Sequence, residues 1–156
     1  MKLRVLALAV AFLLMGACGG EGRIESLSGV KVVLGSGTTT LTINAKVAAT
    51  PEARSEGLMG VKSLPANRGM LFVFREPVRV SFYMKDTLIP LDIAFIGQGR
   101  VLQIESMVPC KVEQCPLTVP RATYEMALEV AAGTFAEAGI GVAAPVSIEG
   151  TLPRAS

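Results

Sequence analysis

The 156-residue chain has no histidine and no tryptophan, and its only aspartates are Asp86 and Asp92. Without histidine, the usual general base for a serine or cysteine nucleophile is missing. The commonest ligand of transition metals is missing too, and two carboxylates alone make a thin metal set. No metal and no cofactor is therefore expected. Gly57, Gly60 and Gly69 lack the G-x-G-x-x-G spacing of a dinucleotide loop. Basic runs are absent as well: Arg54, Arg68, Arg75, Arg79, Arg100 and Arg121 are dispersed. That pattern excludes a footprint for a nucleic-acid backbone.

The N-terminus is the first strong positive signal. Met1-Lys-Leu-Arg4 is basic, Val5–Met15 is apolar, and Gly16-Ala17-Cys18 places small residues before a cysteine. A basic start, an apolar core and a small-residue cut site make an export signal. The apolar run is shorter than the roughly 20 residues that span a bilayer. The arrangement resembles a bacterial lipoprotein signal, with residues 1–17 removed and Cys18 acylated, for example by palmitate. Each buried methylene contributes about 0.8 kcal/mol, so several acyl chains hold a protein at a membrane. Gly19 after the cysteine points toward the periplasmic face of the outer membrane. Loss of Lys2 and Arg4 leaves 13 basic against 13 acidic residues in 139, so the net positive charge is a property of the export segment.

Of the three cysteines, Cys110 and Cys115 then remain as one even pair. In an oxidising envelope a local disulfide is expected. A redox role would call for C-x-x-C spacing at a helix start, which is not present.

The remainder reads as one mainly β domain. Residues 18–37 are expected to be a tether, interrupted by a strand around Val30–Leu34, and residues 38–152 the folded unit. Alternating, β-branched Thr38–Val47 predicts a half-buried strand. Thr50-Pro51-Glu52 supplies a cap, a proline at the first helical position and an acid in the first turn. Further strands are predicted at Gly69–Phe74, Val78–Met84, Leu91–Ile96, Arg100–Ser106, Tyr124–Val130 and Val146–Glu149, with a short helix at Gly133–Ala138. Such short strands bury their faces as a compact, mostly antiparallel sandwich or barrel-like domain.

Both aspartates lie in Ser81–Ile96. Leu91-Asp-Ile-Ala-Phe-Ile96 is apolar on both faces apart from Asp92, so Asp92 requires hydrogen bonds or a cation. Lys85 is the nearest cation in sequence. Asp86 opens the turn Asp86–Pro90 and suits an Asx-type bond to nearby N–H groups. The ligand-binding candidates are Arg54, Tyr83, Lys85, Asp86 and Asp92; no residue is assigned a catalytic role.

Tyr83-Met-Lys-Asp-Thr-Leu-Ile-Pro-Leu-Asp-Ile-Ala-Phe-Ile96 closely resembles the signature of the DUF192 family, small bacterial and archaeal proteins without an established activity. The resemblance extends to Thr50–Gly60, Gly69–Phe74, Arg121–Val130, Ala132-Gly133 and Gly139-Ile140. It implies a compact all-β, sandwich-like fold, and frequent export or lipid attachment. Tyr83 stands where the family commonly has tryptophan, and Asp86 where it commonly has asparagine. An amide performs the turn-forming task without charge, so the family pattern favours Asp92 over Asp86 for any shared role.

Three functions are compatible with these residues. The leading one is a membrane-tethered accessory or interaction module, anchored through acylated Cys18, with an envelope protein or small ligand as partner. The alternative is a module binding a small ligand or glycan at a polar patch around Lys85 and Asp92. The third is a histidine-free carboxylate hydrolase, for which paired acids need stand only about 5–9.5 Å apart.

Overall fold

The computed structural model describes residues 25–156. The expected signal peptide, the acylated Cys18 and the first part of the tether lie outside the described residues. Among the described residues, seven strands and two short helices follow one another: β1 (Gly29–Ser36), β2 (Thr39–Ala48), α1 (Pro51–Glu56), β3 (Arg68–Val78), β4 (Leu91–Gly97), β5 (Arg100–Met107), β6 (Tyr124–Ala131), α2 (Thr134–Glu137) and β7 (Val146–Glu149). They make a single mixed sheet in the order β5-β4-β6-β3-β2-β1-β7.

Neighbouring strands are antiparallel except β2 and β3, which run parallel, with Lys46 opposite Met70. This one parallel pair departs from the simplest reading of the pattern. Parallel strands need a crossover, and α1 with the following loop provides it. Thr50 caps α1 by accepting the Ala53 N–H at 3.2 Å, and Pro51 sits in its first turn.

The sheet curls until its two ends meet at one corner. Val101 N–H donates to the Ala144 carbonyl (3.0 Å), Ala143 N–H to Val101 (2.8 Å) and Val146 N–H to Gly99 (2.8 Å). Gly35 N–H on β1 reaches the Pro145 carbonyl at 2.8 Å. The result is a half-barrel in which the ladder groups at that corner of the edges are satisfied.

Curling gives the sheet an inside and an outside, and both are buried. Val32, Leu34, Ile43, Leu71, Ile96, Leu128 and Phe135 fill the inside. Met70, Phe72, Leu91, Ile93, Phe95 and Tyr124 pack on the outside. Alternation along β3 and β4 sends successive side chains to the two layers, and all seven residues of β4 are buried. Each fully buried large apolar side chain contributes about 1.5–3 kcal/mol, so β4 and β6 are central to both layers.

The outside layer is covered by α1, the loop through Leu58 and Val61, and a strap spanning residues 79–90. The predicted Val78–Met84 strand does not form. β3 ends at Val78, opposite Tyr124, and beyond it the strap keeps the expected alternation outside any ladder: Phe82 and Met84 turn inward while Tyr83 and Lys85 are exposed. Beyond Val78, the Phe82–Thr118 bridge is all the sheet-like pairing left to the stretch up to Met84 among the described residues. Phe82 instead inserts its ring edge-on against Phe72 (5.0 Å between centroids) and Phe95 (5.9 Å), a preferred aromatic geometry. Buried Tyr124 donates its hydroxyl to the Val80 carbonyl at 2.8 Å, and burial pushes that phenol's pKa upward.

Candidate functional site

The residues singled out in the sequence do not assemble in one place. Asp92 is buried and fully engaged. Its Oδ1 accepts the Ser106 hydroxyl at 2.7 Å and its Oδ2 accepts the Gly133 N–H at 2.8 Å. Asp92 and Ser106 are register partners across β4 and β5, and Gly133 precedes α2. The carboxylate therefore ties two strands to the turn that follows β6, and Lys85 is not its partner. Lys85 is exposed on the strap, bridged through its backbone to Cys110.

Asp86 is also exposed and adopts a left-handed φ of 56°. Aspartate and asparagine tolerate that region better than most residues, which explains why either fits the position. The turn is held by Thr87 N–H to the Met84 carbonyl (3.2 Å) and Gly60 N–H to the Asp86 carbonyl (2.9 Å). The expected Asx-type bond from the Asp86 carboxylate does not form among the described residues.

Arg54 and Tyr83 are brought together, on the walls of a cleft of about 430 Å³ between α1, β3 and the strap. Arg54 Nη1 donates to the Ala49 and Val73 carbonyls (2.8 and 3.1 Å), and Nη2 to the main-chain oxygen of Ser156 (2.7 Å). Its guanidinium lies 5.1 Å from the Phe74 ring centroid, a cation–π arrangement. Gly57 ends α1 with φ 51°, and a Cβ there would stand 3.3 Å from the Phe72 ring. A side chain at that position would press into the cleft.

Glu129 lies at the floor of the cleft. It is 5% exposed and belongs to β6. Its cross-strand neighbours are Met70 and Ile93, both apolar. No hydrogen bond or ion pair holds its carboxyl among the described residues. No fully sealed polar side-chain atom lacks a partner among those residues either, so the carboxyl keeps its contact with the cleft. Desolvation pushes its pKa up to about 8, because burial penalises the charged form. A carboxyl that stays protonated at neutral pH, in a cleft walled by Phe72, Phe74, Phe82 and Tyr83, is the combination expected of a binding or proton-transfer site.

Alternation along β6 conceals this residue. Tyr124, Met126, Leu128 and Val130 make one apolar series, while Glu125, Ala127 and Glu129 make the other. That pattern describes a strand with one solvated face. The strap and α1, distant in sequence, cover the second face. The readable signal was Phe82, on the same face as Met84 in the Val80–Met84 stretch, an aromatic whose ring needed a place to go.

Elsewhere, polar groups are mutually satisfied. Gln103 accepts the Arg121 N–H (2.7 Å) and donates to Glu105 (3.0 Å) and the Val119 carbonyl (3.3 Å). Arg121 also pairs with Glu105 at 3.0 Å. This network fixes the end of the loop that contains the Cys110–Cys115 disulfide. Among the described residues, no three His, Cys, Asp or Glu side chains converge as a metal site, and no helix is long and apolar enough to cross a membrane.

The profile of the DUF192 family, described as "Uncharacterized ACR, COG1430", matches residues 32–148. A crystal structure of a protein of unknown function from Novosphingobium aromaticivorans DSM 12444 is 29% identical, with a TM-score of 0.73, covering 80% of this chain and 88% of that one. A structure from Sinorhizobium meliloti 1021, named as a candidate transcription regulator, is 30% identical with a TM-score of 0.72, covering 79% and 95%. No curated protein matches the chain significantly.

Proposed function

The chain belongs to the DUF192 family, and for this member we propose a lipid-anchored envelope module that captures a small ligand in the cleft above Glu129. One observation carries the reading: a buried carboxyl without a protein partner forms the floor of an aromatic-walled cleft. Leaving such a group unpaired costs stability, and a ligand that satisfies it recovers that cost. The cleft volume of about 430 Å³ falls within the usual range for small-molecule sites. The ligand position moves from the patch around Lys85 and Asp92 to this cleft, because both Asp92 oxygens are hydrogen-bonded and the residue lies on the opposite face of β4 from the cleft. The anchor rests on the lipoprotein-like sequence Met1–Cys18. The regulator name of the Sinorhizobium protein is not carried over: the exported chain is formally neutral and its arginines are scattered.

A fragment screen on the isotope-labelled chain, read by amide resonance shifts, tests the site. Hits are expected to perturb Gly57, Phe82 and Glu129, to weaken in Glu129→Gln and to persist in Asp92→Asn. Equal binding by wild type and Glu129→Gln would remove the cleft from consideration. Incorporation of labelled palmitate, lost in Cys18→Ser, tests the anchor; equal labelling of both proteins rejects it.

A further inference from the structure

We infer that the ligand is an organic cation, a primary ammonium or guanidinium group on a small apolar body, with its charge on Glu129 and its body against the cleft rings. This rests on reading the cleft as a binding site, and three features choose the ligand class.

The first is charge balance. Met70 and Ile93 flank Glu129 on the neighbouring strands, so β3 and β4 bring no titratable group to it. From α1 the cleft receives Arg54 and Glu56, and from the strap Tyr83. Arg54 is the one cation among the described cleft-lining residues, and three of its five N–H donors already serve main-chain oxygens of Ala49, Val73 and Ser156. An anionic ligand would share the cleft with Glu56 and leave Glu129 in its protonated form, whereas a cation supplies the partner that the charged carboxylate lacks.

The second is the wall. Phe72, Phe74, Phe82 and Tyr83 line it, and aromatic rings attract cations. Phe74 already does so with Arg54 at 5.1 Å. The third is proton linkage. The empty cleft keeps Glu129 protonated up to about pH 8, and an incoming ammonium replaces that proton with its own charge. Binding then releases a proton from the Glu129 carboxyl to solvent, and the ammonium keeps all of its own.

Benzylamine, benzyl alcohol and benzoate, titrated into the full-length chain and followed by amide shifts and calorimetry, test this. Benzylamine is expected to bind at least about tenfold more tightly than benzyl alcohol at pH 8, with benzoate weakest. Its Kd should fall about tenfold per pH unit between pH 6 and 7 and level off above about 8, as one-proton linkage requires. Calorimetry in buffers of different ionisation enthalpy should show close to one proton released at pH 7. Glu129→Gln should abolish both the preference and the pH dependence. If benzyl alcohol binds as tightly as benzylamine, or if Glu129→Gln keeps the preference, the ligand class is wrong while the cleft stands. If none of the three probes shifts the resonances of Gly57 and Phe82, the cleft reading fails with it.

Discussion

Asp92 and Glu129 are two carboxyl groups with nearly the same burial, 4% and 5% exposed, on adjacent central strands of one sheet. Their surroundings differ in one respect. Asp92 faces the inside of the half-barrel and is met by a hydroxyl and a backbone N–H. Glu129 faces the outside layer and meets apolar strand neighbours and a cleft. Burial alone therefore does not distinguish a structural acid from a functional one. The supply of donors does, because donors aimed at a carboxylate favour its charged form and desolvation without donors favours the neutral one. The side of the sheet with spare volume is also the side that leaves its acid unsatisfied.

Substitutions at the two positions should therefore act in opposite directions. Asp92→Ala removes two hydrogen bonds to a charged group and leaves the Gly133 N–H without its acceptor. At about 1.5–3 kcal/mol for each such bond, urea denaturation at pH 7 should show a loss of about 3–6 kcal/mol. A loss below about 1 kcal/mol would erase the contrast.

Glu129→Gln should stabilise, and in a pH-dependent way. The folded-state pKa of about 8 lies above the unfolded value of 4.5. Between these values the folded protein holds a proton that the unfolded chain has lost, so stability falls as pH rises through that window and is then level. The stability difference between variant and wild type should grow from near zero at pH 4.5 to on the order of 4 kcal/mol at pH 8–9. A difference that does not change with pH contradicts the raised pKa.

Removing the disulfide through the Cys110→Ser, Cys115→Ser double variant should cost about 2 kcal/mol, the chain-entropy value for so short a loop. Cleft binding should persist, since the bridge lies outside the cleft lining. Loss of binding would show that the strap depends on that loop, through the Cys110 N–H to Met84 carbonyl contact. The smallest effect is expected from Ser106→Ala, about 1.5 kcal/mol, the low end for one hydrogen bond to a charged group, with the Glu129 titration unchanged. A moved titration, read by carboxyl NMR, would mean that the two acids communicate through β4.

Much of the chain was legible beforehand. The alternation in Thr38–Val47, the cap at Thr50-Pro51 and the apolar Leu91–Ile96 run each matched an observed element, and the family blocks agreed with the profile match. Cys110 and Cys115 pair as expected from their separation and compartment. Two misreadings share one cause. Val78–Met84 has the alternation of a strand, yet alternation records only which side chains turn inward and not whether a neighbour pairs with the backbone. The Asp92–Lys85 association was judged from sequence proximity, whereas the partners came from Ser106 and Gly133, across the sheet and beyond β6.

The chain by itself thus determined its β periodicity, its disulfide, its family and the need of Asp92 for partners, since each depends on residue type and short-range spacing. Only the tertiary structure decided which acid was left without partners. Glu129 becomes buried because α1 and the strap, separated from it by dozens of residues, close over the outer face of β6 and leave a cleft there. Desolvation is a property of what surrounds a group in space, and no local pattern in β6 carries it.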